Sequence, residues 1–223
     1  MKQFALVTEG VTDYLVLKPI LQKFFSEEPN IRQIRPEIDD AEHETGGKGG
    51  FRQVLDFCKT NNINEILKEN DFIVIQIDSD VSPSRGFDIP HKANGLEIDH
   101  IQLYNSIIHH LKALFPDTVN PVNLDKIIFA IGIHSIECWL IPVLAPEKQN
   151  TSNQCLNVLN AELRSAGMFQ IPKGRKNSTR SKTSFNKLTM AFTSKNEILR
   201  IAGYNVGFKK FVESLNEREA NDE

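Results

Sequence analysis

The stretch LVTEGVTDYLVL runs from Leu6 to Leu17 and holds two acids, Glu9 and Asp13. An apolar run that begins at Phe4 stops at Glu9 and Gly10. Asp13 follows four residues later, and apolar residues then resume. The compact run "KQFALVTE" reads as a buried strand. Beyond it, Leu15, Leu17, Ile20, Leu21, Phe24 and Phe25 recur at helical spacing, which predicts a helix over 11–25 with Thr12 as its N-cap and a kink at Pro19. Two carboxylates therefore stand where a buried strand hands over to a helix.

The same alternation recurs along the chain. "IRQIRPEI" reads as a second strand, and Phe51 to Leu67 as helix broken near Asn61 and Asn62. "DFIVIQID" from Asp71 is a strong buried strand, followed by a loop, "VSPSRGFDIPHKANG". Asp99 to Phe115 is an amphipathic helix, "DKIIFAIGI" from Asp125 another buried strand, and "SIECWLIPVL" the start of a further helix. Thr151 to Ala166, Asn186 to Ala202 and a last segment with Phe208, Phe211 and Leu215 also have helical spacing. Apolar strands alternating with helices predict an α/β fold with a mostly parallel sheet, helices on both faces, and a mainly helical C-terminal portion. The expected division is a core over 1–145 and a helical extension over 146–223 packed on it.

With 223 residues the chain can bury a sizeable core. No apolar run is long enough to span a membrane, and the amino-terminal run lacks a cleavage pattern of small residues. Cys58, Cys138 and Cys155 are odd in number and widely spaced, without a CxxC pair. They read as reduced thiols of a cytoplasmic protein and make a structural zinc site improbable. The net charge of −3 hides an uneven distribution. From Ser165 to Asn196 there is no acid, while Lys173, Arg175, Lys176, Arg180, Lys182, Lys187 and Lys195 fall in that window.

In open parallel sheets the chemistry gathers at the carboxyl ends of strands. Here one strand ends at Glu9, a second in Asp78 and Asp80, and a third runs into His134 and Glu137. Period two would aim Asp78 and Asp80 to one side, and Asp13 in a first helical turn can turn back toward Glu9. Converging carboxylates repel one another unless a cation joins them. Hard oxygen ligands suit Mg2+ or Mn2+, which stabilise charge in phosphoryl transfer.

"VTEGVTD" followed by "VIQIDSD" resembles the TOPRIM domain of topoisomerases, primases and related nucleases, whose signature is Glu-Gly after the first strand and Asp-x-Asp after a later one. The acid pair Glu9 and Asp13 is similar to that of the nuclease branch, the overcoming-lysogenization-defect family and small stand-alone TOPRIM proteins. The resemblance covers Phe4 to about Trp139. It implies a Mg2+- or Mn2+-dependent nuclease acting on DNA or RNA, with Glu9, Asp13, Asp78, Asp80 and Glu137 as metal ligands. Glu137 enters through Ser135-Ile136-Glu137, which is similar to that branch's Ser-x-Glu element. Glu9, Asp78, Asp80 and Lys182 would be the catalytic set, with Lys182 against the scissile phosphate. Lys173, Arg175, Lys176, Arg180 and Lys182 would contact nucleic acid. The branch implies a phage-defence context. No Walker motif is present, so an ATPase half would be a separate partner chain.

Plainer readings stand beside these. Glu9, Asp13 and Glu137 could be helix-start acids favoured by the positive end of the helix dipole. His134 could be a satisfied structural histidine, and the basic window a solvated loop. "GGKGG" at Gly46 to Gly50 lacks Walker spacing and reads as a mobile loop. "IVIQIDSDV" also matches the Asp-x-Asp-x-Val element of haloacid-dehalogenase-like phosphatases, with Asp78 as nucleophile and Asp80 as acid/base. That element normally opens its domain, whereas a strand-helix unit precedes it here. A non-catalytic TOPRIM module that binds nucleic acid or a partner is the third alternative.

Overall fold

The computed structural model describes residues 1–39, 50–148, 154–173 and 178–220. Four strands, β1 (Gln3–Val7), β2 (Asn30–Arg35), β3 (Phe72–Asp78) and β6 (Ile127–Gly132), form one sheet in the order β2-β1-β3-β6, every pair parallel. A separate two-stranded hairpin joins β4 (Lys92–Ala93) to β5 (Leu96–Glu97). Around them lie α1 (Val11–Phe24), α2 (Phe51–Cys58), α3 (Asn62–Glu69), α4 (His100–Ala113), α5 (Pro121–Asp125), α6 (Glu137–Leu144), α7 (Cys155–Ser165), α8 (Thr179–Thr189), α9 (Lys195–Ala202) and α10 (Val206–Ala220). No helix among the described residues is long and apolar enough to cross a membrane.

The strands read as unbroken apolar runs because both faces of the sheet are covered. Phe4 and Leu6, Val74, and Ile128 and Ala130 face one apolar cluster, shared with residues of α1 and α6 to α10. Ala5 and Val7, Ile73, Ile75 and Ile77, and Ile127, Phe129 and Ile131 face the other, filled by α2, α3 and α4. The anchor of the first cluster is Trp139 of α6, fully buried and stacked on Phe208 of α10 with ring centroids 4.6 Å apart. Truncating such a ring costs roughly 3–5 kcal/mol. α10 also lies against β6, the outer strand, so closely that a Cβ on Gly207 would stand 2.0 Å from the Ile131 carbonyl oxygen.

Several local expectations change. α1 begins after Gly10 and has no side-chain cap, so Thr12 is a residue of the helix rather than its cap. The helix read over Asn186 to Ala202 is two helices, α8 and α9, and α8 starts inside the basic window. The loop after β3 contains the hairpin, whose Asn94 and Gly95 both have positive φ, 53° and 80°. Cys138 and Cys155 form a disulfide and are not free thiols, because α6 and α7 pack together and bring their Cα atoms to 5.0 Å. Cys58 alone is free. It is buried, and burial pushes its thiol up to about 12, so it stays protonated and is no nucleophile at neutral pH. Arg175, Lys176 and the glycine-rich loop up to Gly49 lie outside the described residues.

Candidate functional site

The strand order fixes where a site can form. From β1 the chain passes outward to β2 and then returns to place β3 on the other side of β1. The carboxyl ends of β1 and β3 therefore flank the topological switch point, where doubly wound sheets open a crevice. Glu9 follows β1 and Asp78 ends β3. They meet: Oε1 of Glu9 accepts the Asp78 amide at 2.6 Å.

A residue from within β3 organises this meeting. Gln76 is fully buried in an otherwise apolar run. Its Oε1 accepts the Glu9 amide at 3.0 Å and its Nε2 donates to Oδ1 of Asp78 at 2.9 Å. One partner is a donor and the other an acceptor, so only one orientation of the amide satisfies both. Oδ1 of Asp78 accepts a further bond, from the Ile136 amide at 3.0 Å. That contact draws in the segment after β6, which leads directly into Glu137. The close fit depends on Gly132, where a Cβ would stand 2.4 Å from Oδ1 of Asp78.

The remaining acids are placed unequally. Asp13 is buried in the first turn of α1 and folds back over Gly10, its Oδ2 lying 3.3 Å from where a Cβ of that glycine would be. Glu137 is fully buried at the start of α6, one residue beyond the amide that holds Asp78. Asp80 lies past the strand, where period two no longer sets its direction. The strand ends at Asp78, Ser79–Val81 is a 3₁₀ turn, and Asp78 is buried while Asp80 is exposed. The Asp80 amide donates to the His134 carbonyl at 2.9 Å, and the His134 amide donates to the Ser79 hydroxyl at 2.7 Å. This double clamp holds His134 at a φ of 65°, a strained position for a non-glycine residue and one that clusters at functional sites. Burial pushes the imidazole below its ordinary value, and nearby His100 and His91 push the same way.

Lys182 is half-buried on α8, which packs against α1, the helix that carries Asp13. Lys173 and Arg180 are exposed farther along the same region. The last residue of the glycine-rich loop also reaches the site, since the Gly50 amide donates to the Glu9 carbonyl at 2.6 Å with a φ of 112° that favours glycine.

The donors gathered at the switch point are hard carboxylate oxygens, the right chemistry for Mg2+ or Mn2+. As the side chains stand, however, no group of three or more His, Cys, Asp or Glu among the described residues is arranged to hold a metal ion. Glu9 and Asp78 direct oxygens to backbone amides instead. The sequence did not single out Gln76 or Ser79. The signal for Gln76 was present, as a lone polar residue in an apolar strand buried on both faces.

Fold and site together define a doubly wound parallel α/β protein with a carboxylate pair at its switch point. Compared with family models, with curated proteins and with solved structures, the chain gives no match.

Proposed function

We propose that the chain is a divalent-metal-dependent nuclease of TOPRIM type, cleaving phosphodiester bonds in DNA or RNA. The observation that carries this reading is the contact of Glu9 with the Asp78 amide across the β1–β3 crevice. Two strand-end acids far apart in sequence are brought to one place, and a glutamine is buried to hold them.

Glu9, Asp78 and Asp80 would hold Mg2+ or Mn2+, with Asp13 and Glu137 completing the set. The ion would supply Lewis acidity toward the attacking water and the leaving oxygen. The chain's own part is positional. Gln76 and the Ile136 amide fix one oxygen of Asp78. Glu9, whose Oε1 accepts the Asp78 amide, would offer a carboxylate oxygen to the ion. Lys182 meets the scissile phosphate as a point charge. Lys173 and Arg180, with Arg175 and Lys176, offset the charge of the nucleic-acid backbone. A phage-defence role and a separate ATPase partner accompany this reading.

Titration calorimetry with Mn2+ tests the metal set. Asp78→Asn combined with Asp80→Asn keeps the acceptors that Gln76 and Ile136 need, so the fold is preserved while ligand charge is removed. Binding should be abolished, and unchanged affinity in the variant would sink the assignment.

A further inference from the structure

Next to the helical region, one aromatic side chain is displayed where a core residue would be hidden. Phe169 is 51% exposed. It follows a tightly defined helix end. The Met168 amide bonds back to the Leu163 carbonyl at 2.8 Å and the Gly167 amide to the Arg164 carbonyl at 3.1 Å, with Gly167 at a φ of 66°. These two bonds are the Schellman pattern, which needs a left-handed residue at that place. The Phe169 carbonyl then accepts from the Ser184 hydroxyl at 2.6 Å. Two residues on, the Ile171 amide and carbonyl are both held by the Asn160 side chain, at 2.7 and 2.8 Å. Ile171 itself is fully buried. The ring is thus presented on a fixed backbone.

Its surroundings are cationic. The Arg180 guanidinium lies over the Phe169 ring, 5.6 Å from its centroid. Arg180 also lines a cleft of about 320 Å3 together with Lys173, Asn157, Asn160 and Ser178, and no acid among the described residues lines it. The whole window from Ser165 to Asn196 is free of acids. A polyanion is the complementary occupant by charge, and an exposed ring with a guanidinium over one side calls for a flat π-surface. Only one common polymer supplies both. A base inside a duplex has its faces covered by its neighbours, so the base that reaches Phe169 must be unpaired.

We infer that Phe169 and Arg180 form a stacking platform for an unpaired nucleobase, with Lys173 meeting the adjoining phosphate and the Asn157 amide available to the base edge. The inference rests on the nuclease reading for its occupant, and adds that the strand bound is single.

Fluorescence anisotropy in EDTA separates binding from cleavage. The probes are a labelled oligothymidylate, the same strand carrying abasic sites, and a duplex. Phe169→Ala should weaken oligothymidylate binding by roughly 5- to 150-fold, the span for loss of one stacked base, and leave the abasic strand and the duplex nearly unchanged. Phe169→Trp should retain binding, and its new emission should be quenched by oligothymidylate, because the native Trp139 is buried. The inference is overturned if Phe169→Ala binds oligothymidylate like the wild type, if it loses all three probes equally, or if Phe169→Trp emission is unaffected. Failure of the nuclease reading shows separately, as absence of cleavage with Mg2+ or Mn2+ while base-selective binding in EDTA persists.

Discussion

Gly132→Ala adds one methyl group at the most constrained point of the site. The new carbon would stand 2.4 Å from Oδ1 of Asp78, 2.9 Å from the Ile136 nitrogen and 3.0 Å from the Ser135 carbonyl carbon. Two of these neighbours are backbone, and the third is a buried carboxylate, so none can swing into solvent. The hydrogen bond from Ile136 to Asp78 runs through this space. Losing one bond to a charged group costs about 1.5–3 kcal/mol. Overpacking a close-packed interior costs about 1–3 kcal/mol. Together we expect a loss of roughly 2.5–6 kcal/mol, a large part of the stability of an ordinary domain. Urea unfolding followed by circular dichroism reads this as a lower midpoint with unchanged slope. Metal affinity should fall in parallel, since Asp78 must move. Gly203→Ala is the control. Its nearest neighbour is the Arg200 carbonyl oxygen at 3.3 Å, and its φ of −57° suits alanine. It should shift stability by no more than about 1 kcal/mol, in either direction. A Gly132→Ala protein with wild-type midpoint and wild-type metal affinity would refute the proposed packing around Asp78.

Other perturbations test separate parts of the structure. His110 and His134 are both pushed below their ordinary value of 6.5, chiefly by burial. The unfolded chain therefore binds more protons just below that value, so stability should rise with pH through this window and be lost as pH falls through it. His110→Gln should flatten part of the rise, and a urea midpoint that stays level or falls with increasing pH would contradict the burial. In nucleic-acid binding, each phosphate contact contributes a log-log salt slope of about 0.7 for single strands and about 0.9 for duplex. Replacing Arg175, Lys176, Arg180 and Lys182 with alanine should weaken binding and flatten that slope, and an unchanged slope would reduce the basic window to solvated surface.

The sheet was legible in the sequence because both its faces are buried. Residues 4–7, 73–77 apart from Gln76, and 127–131 supply side chains to two cores at once, which leaves nearly unbroken apolar runs that a loop cannot imitate. Acids at the ends of such runs stand out for the same reason, and Glu9 and Asp78 do converge. The period-two rule does not reach Asp80, which lies in the 3₁₀ turn past the strand end. α8 was hidden by composition. Its first turns, Thr179 to Ser184, are dominated by Ser and Thr and carry no apolar residue, and Phe185 and Leu188 are its apolar anchors in the core shared with α1. The hairpin was signalled by Asn94-Gly95, the pair that suits a tight two-residue turn, but its strands are only two residues long. The disulfide depends on the packing of α6 against α7, and a separation of 17 residues carries no local sign of it.

The most direct test of the central claim is cleavage by Glu9→Gln. Glu9 leaves the strand end toward the Asp78 amide and adds little packing, so the variant should fold normally. Wild-type protein with Mg2+ or Mn2+ should cut at least one of plasmid, single-stranded DNA and RNA, and EDTA should stop it. Glu9→Gln should reduce the rate by roughly a hundredfold or more, the order lost when one catalytic electrostatic contact is removed. A small phosphate monoester should not be efficiently hydrolysed by either protein, in contrast to a phosphatase built on Asp78. Full nuclease activity in folded Glu9→Gln protein, or cutting that survives EDTA, would contradict the assignment of the β1–β3 crevice.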